Sequence, residues 1–172
     1  MRLPIHGMIA GALGALLLLV GSALGASQKD RDDCLKASGD TAIAARTHLI
    51  NDGSESVHNR AVAYYNRGSE YDGKRDLDRA MADYDQAIRL DPKYAHAYNN
   101  RGIAWLGKKD NDRAMADYDQ AIRLDPKLSS AYYNRGLVWK AKGDKARAIA
   151  DFTEAQRLGD TDAADKLKEL GQ

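Results

Sequence analysis

Apolar and polar positions along most of this chain follow the 3.6-residue period of amphipathic helices, in a block that recurs. Residues 62–74 place small or aromatic side chains at Ala63, Tyr64, Gly68 and Tyr71, the spacing of one helical face. A second helix is predicted from Asp76, where an aspartate can accept from exposed N–H groups and suits the positive end of the helix dipole. It ends before Pro92, because the residue preceding proline is pushed out of helical geometry. The pair recurs, with first helices from His96 and Ser130 and second helices from Asp110 and Asp144. At roughly 13 to 15 residues each, these helices are close to 20 Å long.

The recurrence is literal over sixteen residues. Residues 78–93 read DRAMADYDQAIRLDPK, and residues 112–127 read the same, at an offset of 34. A fixed period of that size marks a stacked array whose units are too small to bury an apolar face alone. Three frames follow: 61–94, 95–128 and 129–162. The first two agree at 25 of 34 positions, and the third aligns without a gap. Small residues fall where helices must approach: Gly68 with Ala80, Gly102 with Ala114, Gly136 with Ala148. Ala87, Ala121 and Ala155 would face the next unit, and Tyr84, Tyr118 and Phe152 supply the large partners. The predicted fold class is all-α, a solenoid of helix-turn-helix hairpins.

The spacing Tyr64-x-x-Arg67-Gly68-x-x-Tyr71, followed by Ala80, Tyr84, Ala87 and Pro92, resembles the tetratricopeptide repeat. The likeness covers about 100 residues. It implies a right-handed superhelix whose first helices line a concave groove, and protein–peptide binding far more often than chemistry.

Two features depart from that family's pattern. Arg67, Arg101 and Arg135 stand where leucine is usual, with Asp83, Asp117 and Asp151 at a fixed distance in the partner helix. They suggest one repeated ion pair within each unit; alternatively each arginine lays its stem on the packing surface with its head in water. The glycine that usually ends the first helix survives only as Gly143. Arg75 and Lys109 replace it, so the first two turns are expected to differ in shape from the third.

The ends are read as closures. Gln156 replaces Ile88 and Ile122, Asp160 replaces proline, and residues 163–172 offer Ala163, Ala164, Leu167 and Leu170 on one face as a capping helix. Upstream, 27–60 reads as a degenerate helical hairpin. Residues 1–26 combine a basic start at Arg2, a short apolar run and the small-residue exit Ala23-Leu24-Gly25-Ala26, the pattern of a secretory signal peptide. Cleavage is expected after Gly25 or Ala26, giving a periplasmic or secreted protein; the alternative is an uncleaved inner-membrane anchor on a structural scaffold.

Charge narrows the partners. The chain holds 26 basic and 25 acidic residues, and the leader removes only Arg2, leaving 25 against 25. These charges are interspersed, so no long-range field draws the protein to nucleic acid, or to a membrane beyond the leader. The single cysteine, Cys34, is read as a free thiol, the alternative being an intermolecular bridge. His48, His58 and His96 include no i, i+4 pair, so neither a zinc site nor any other metal or cofactor is expected. No GxSxG, phosphate-binding loop or Cys/His arrangement nominates a catalytic residue, and an enzyme is not expected.

What remains is the groove that the resemblance implies. Its candidate peptide-binding residues are Tyr65, Asn66 and Ser69 in unit one, Asn99, Asn100 and Ile103 in unit two, and Tyr133, Asn134 and Leu137 in unit three. Asn66, Asn100 and Asn134 form a ladder at one height. An amide both donates and accepts, so the ladder can hold an extended backbone; alternatively it ties neighbouring first helices together. Chaperone-binding members grip a terminal carboxylate with basic groove residues. Here Tyr65, Ser69, Ser130 and Asn134 stand at those places and only Asn100 matches, so no carboxylate clamp is expected. The expected partner is an extended, largely uncharged protein segment of unknown identity, with self-association as the rival.

Overall fold

The computed structural model describes residues 38–171. The leader, Cys34 and the first arm of the N-terminal hairpin lie outside them. Eight helices and no strand occur among the described residues: α1 Gly39–Asn51, α2 Val57–Gly73, α3 Leu77–Leu90, α4 Ala95–Gly107, α5 Asn111–Leu124, α6 Ser129–Ala141, α7 Lys145–Arg157 and α8 Asp162–Glu169. The hairpins α2/α3, α4/α5 and α6/α7 are the most extensively packed pairs. Each second helix then packs on the next first helix, α1 covers α2, and α8 covers α7. Among the described residues no helix is long and apolar enough to cross a membrane.

Glycine opposite a large ring sets the distance within each hairpin. A Cβ added at Gly102 would lie 2.6 Å from Tyr118 Cε1, and one at Gly68 or Gly136 would meet Tyr84 or Phe152 at 2.8 or 2.9 Å. Tyr84, Tyr118 and Phe152 are fully buried, as are Ala80, Ala114 and Ala148 beside them. Small side chains let the backbones approach until the aromatic fills the gap, which gives the close packing that protein interiors require.

The second helices begin where expected. Asp76, Asp110 and Asp144 accept from the backbone N–H of Arg79, Arg113 and Arg147 at 3.0–3.1 Å. Those bonds, with the arginine side chains, hold all three carboxyls below the usual carboxylate range. The first helix of unit one differs from expectation. It starts at Val57, more than a turn early, because the Ser56 side chain accepts from Asn59 N–H and caps it.

The expectation of dissimilar turns is corrected. Arg75 and Lys109 adopt φ 62°, close to the φ 79° of Gly143. All three turns close with the same pair of backbone bonds: Arg75 N–H to Asp72 and Asp76 N–H to Tyr71, and their counterparts 34 and 68 residues on. Stacking pressure imposes one turn shape and the two long side chains bear the strain, about 1–2 kcal/mol each in a left-handed conformation. Glycine relieves it at an entropic cost of about 0.5–1 kcal/mol. Arg75→Gly and Lys109→Gly are therefore each expected to stabilise the fold by about 0.5–1 kcal/mol, read as a raised urea midpoint with unchanged slope.

Both ends are closed by the devices that serve inside the array. Lys74 pairs with Asp40 of α1 as Lys108 and Lys142 pair with Asp78 and Asp112 of the preceding unit. Helix α1 thus occupies the place of a preceding second helix, with Ala42 fully buried against α2. At the other end Asp160 accepts from Asp162 and Ala163 N–H and starts α8, which buries Ala163 and Leu167. Glu169 accepts hydrogen bonds from Lys140 and Lys166, which bring its carboxyl down to about 2.

Candidate functional site

The three arginines settle into one geometry. Arg67 Nε and Nη2 donate to Asp83 at 2.8 and 2.7 Å, and Arg101–Asp117 and Arg135–Asp151 repeat the fork at 2.7–2.9 Å. Each guanidinium also lies 5.4–5.7 Å from the ring centroid of Tyr64, Tyr98 or Tyr132. The repeated ion pair is therefore present, and the head is not left to water. The third nitrogen does something sequence reading missed: Arg101 Nη1 donates to Asp85 at 2.6 Å and Arg135 Nη1 to Asp119 at 2.7 Å, stapling each unit to the one before. In unit one that nitrogen reaches Thr47 of α1 at 2.8 Å. The forks to Asp117 and Asp151, with the staples to Asp85 and Asp119 adding to them, push the Arg101 and Arg135 guanidinium groups further up, against the opposing effect of burial. A constant 16-residue step from Asp85 to Arg101 and from Asp119 to Arg135 was the available signal.

The nine candidate groove residues all lie on first helices: Tyr65, Asn66 and Ser69 on α2, Asn99, Asn100 and Ile103 on α4, Tyr133, Asn134 and Leu137 on α6. They are not equivalent. Ser69 and Ile103 are exposed, Tyr65, Asn66, Asn100, Tyr133, Asn134 and Leu137 half-buried, and Asn99 is buried at 4% exposure. A hydrogen-bond chain crosses the three helices. Asn134 Nδ2 donates to Asn99 Oδ1 at 3.1 Å, Asn99 Nδ2 to Asn100 Oδ1 at 3.1 Å, and Asn100 Nδ2 to the Tyr65 hydroxyl at 3.2 Å. Asn100 and Asn134 thus tie neighbouring first helices. The Tyr65 hydroxyl accepts here and keeps its own proton free to donate.

Tyr65 is the hub of an aromatic group that includes Tyr94 and His96, which sequence reading did not place together. Its ring centroid lies 4.9 Å from Tyr94, 6.1 Å from Tyr84 and 6.4 Å from His96. Burial pushes the Tyr65 hydroxyl up, partly opposed by Asn100, and pushes Tyr94 up to about 12 with help from Tyr65 and Asp91. Beyond this group the face turns apolar at Ile103 and Leu137, with Leu137 and Tyr133 resting on the Phe152 cluster. Among the described residues no group of three or more His, Cys, Asp or Glu side chains is placed to hold a metal ion.

The geometry defines a class: an all-helical solenoid of stacked hairpins that gathers side chains from alternate helices onto one face. The chain belongs to the tetratricopeptide repeat family, whose family model matches residues 65–129 and 110–163, together more than half of the 172 residues. No curated protein sequence matches it. Among solved structures, it is similar to the first tetratricopeptide domain of Spaghetti (RPAP3) bound to the HSP90 peptide SRMEEVD, at 23% identity and a TM-score of 0.63, covering 67% of this chain and 93% of that one. It is also similar to the Arabidopsis OM64 tetratricopeptide domain, at 26% identity and a TM-score of 0.63, covering 67% and 97%. These likenesses show the tetratricopeptide fold.

Proposed function

We propose that this protein is an exported adaptor that binds an extended segment of another protein along the face formed by α2, α4 and α6. The observation that carries this reading is the exposed Ile103, set between the half-buried Asn100 and the apolar Leu137 region, on the face where the spare donor of Tyr65 also lies. Alternating polar and apolar groups on a rigid face suit an extended chain, because the amide and hydroxyl groups meet its backbone and the apolar ones its side chains. Export rests on the leader pattern of 1–26. The related domain with a bound HSP90 peptide supports a peptide partner of some kind.

Ile103 gives a clean test because it is exposed. Ile103→Glu is expected to leave the melting temperature within about three degrees, since surface substitutions mostly act within ±0.5 kcal/mol. It is expected to abolish capture of the partner isolated with the unaltered chain from the native compartment. Capture unchanged by the substitution would sink the reading. Mass spectrometry of the exported product distinguishes the cleaved adaptor from the anchored scaffold: an intact Met1 would favour the anchor.

A further inference from the structure

Asp72 lacks the partner that its neighbouring carboxylates have. Asp76, Asp78, Asp83 and Asp85 each hold a cation, namely Arg79, Lys108, Arg67 and Arg101. Glu70, two residues before Asp72, holds Arg46 at 3.2 Å. Asp72 is half-buried and makes no ion pair among the described residues; the exposed Arg75 attracts it only at longer range. Burial pushes its carboxyl up from the usual range, so its charged form is held where water serves it poorly.

The position of Asp72 is equally specific. Tyr65, Ser69 and Asp72 stand at i, i+4 and i+7 on α2, one helical face, and Tyr65 on that face accepts from Asn100 of α4. The Tyr84 hydroxyl is sealed beneath, and its burial, with a further contribution from the charge of Asp72, discourages its ionisation. The Ser69 hydroxyl lies about one turn before Asp72 on this face and the Tyr65 hydroxyl about two turns before it. At the equivalent places unit two has Leu106, and unit three has Lys140, already engaged by Glu169. Along this face the groups run from acidic in unit one, through apolar Ile103 and Leu106, to a neutralised end.

We infer that the unit-one end of this face seats a basic side chain, lysine or arginine, of the bound segment, with Asp72 as its counter-ion. The seat rests on the groove reading and sharpens it: the segment is cationic at one position and apolar further along. The charge logic is complementary pairing, in which a partly desolvated carboxylate gains most from a cation delivered by the ligand. It is also the reverse of a grip on a terminal carboxylate, since the charge on the protein is negative.

The test uses the purified chain and an array of synthetic decapeptides, N-acetylated and C-amidated so that no terminal charge contributes. Each position is varied through all side chains in a serine/leucine background. The expected result is selection of arginine or lysine at one position. In Asp72→Asn that selection is lost and the best peptide binds about tenfold more weakly, while its norleucine counterpart binds both proteins alike. Asp72→Glu retains the selection, and circular dichroism checks that both variants are folded. A basic preference that survives Asp72→Asn overturns the seat. So does tight binding of apolar peptides with no basic preference, which leaves the groove standing. Failure of every peptide to bind overturns the groove reading and the seat together.

Discussion

Asp117→Ala is expected to lower the unfolding free energy by about 3–5 kcal/mol. The side chain of Asp117 is 7% exposed and receives two hydrogen bonds from Arg101, whose side chain is 20% exposed. Removing the carboxylate strands a guanidinium that lies between two units and against Tyr98, with only the exposed Asp85 left to it. Since domains are stable by about 5–15 kcal/mol, the loss is about a fifth or more of the total. The melting temperature should fall by on the order of 10 °C. Asp85→Ala, removing an exposed partner of the same arginine, should cost about 0–1 kcal/mol. The double variant Arg101→Met/Asp117→Leu should recover most of the stability, because a buried ion pair replaced by apolar groups of similar volume is often neutral. A double variant as unstable as Asp117→Ala alone would mean the fork contributes by shape and not by charge balance.

Tyr118→Ala is expected to cost about 3–5 kcal/mol and to uncouple the two halves of the array. Tyr118 is fully buried, and its ring occupies the gap that Gly102 leaves open. Deleting the ring removes apolar burial and leaves a void that helices α4 and α5 cannot close without moving. In an array each unit contacts only its neighbours, so a lesion in the middle unit separates α2/α3 from α6/α7. Phe152→Ala removes the same packing from the last hairpin and should loosen only α6, α7 and α8. Hydrogen exchange distinguishes them: protection should be lost across unit two in the first variant and confined to the C-terminal helices in the second. Equal loss of protection along the whole chain in both would show a single cooperative core instead of an array.

The sequence carried the fold because the fold is local and repeated. Gly68, Ala80 and Tyr84 recur at one period, and a period that survives three copies fixes which faces meet. The caps at Asp76, Asp110 and Asp144 were legible for the same reason, since an N-cap is read within one turn of chain. The turns were misread because Arg75 and Lys109 are poor residues for a left-handed conformation, and local preference lost to the demand of stacking. The early start of α2 was missed because Val57 to Arg60 lie outside the repeat.

The candidate surface was legible only in part. Which helices carry it followed from the resemblance, but how its amides are engaged depends on contacts between units. Asn99 neighbours Asn100 in sequence, yet it is buried and bridges Asn134 to Asn100. The staples from Arg101 to Asp85 and from Arg135 to Asp119 likewise exist only once two units are in register. The spacing puts Asp72 on the groove face with Tyr65 and Ser69, but its lack of a cation beside paired neighbours depends on contacts between helices and is not written in the sequence.

The most direct measurement of the central claim is backbone amide chemical-shift mapping with the best decapeptide from the array. The account predicts saturable shifts concentrated on α2, α4 and α6, with Tyr65, Ser69, Asn100, Ile103 and Leu137 among the largest and the second helices little changed. Shifts centred on α3, α5 and α7 or on the ends of the array would contradict it.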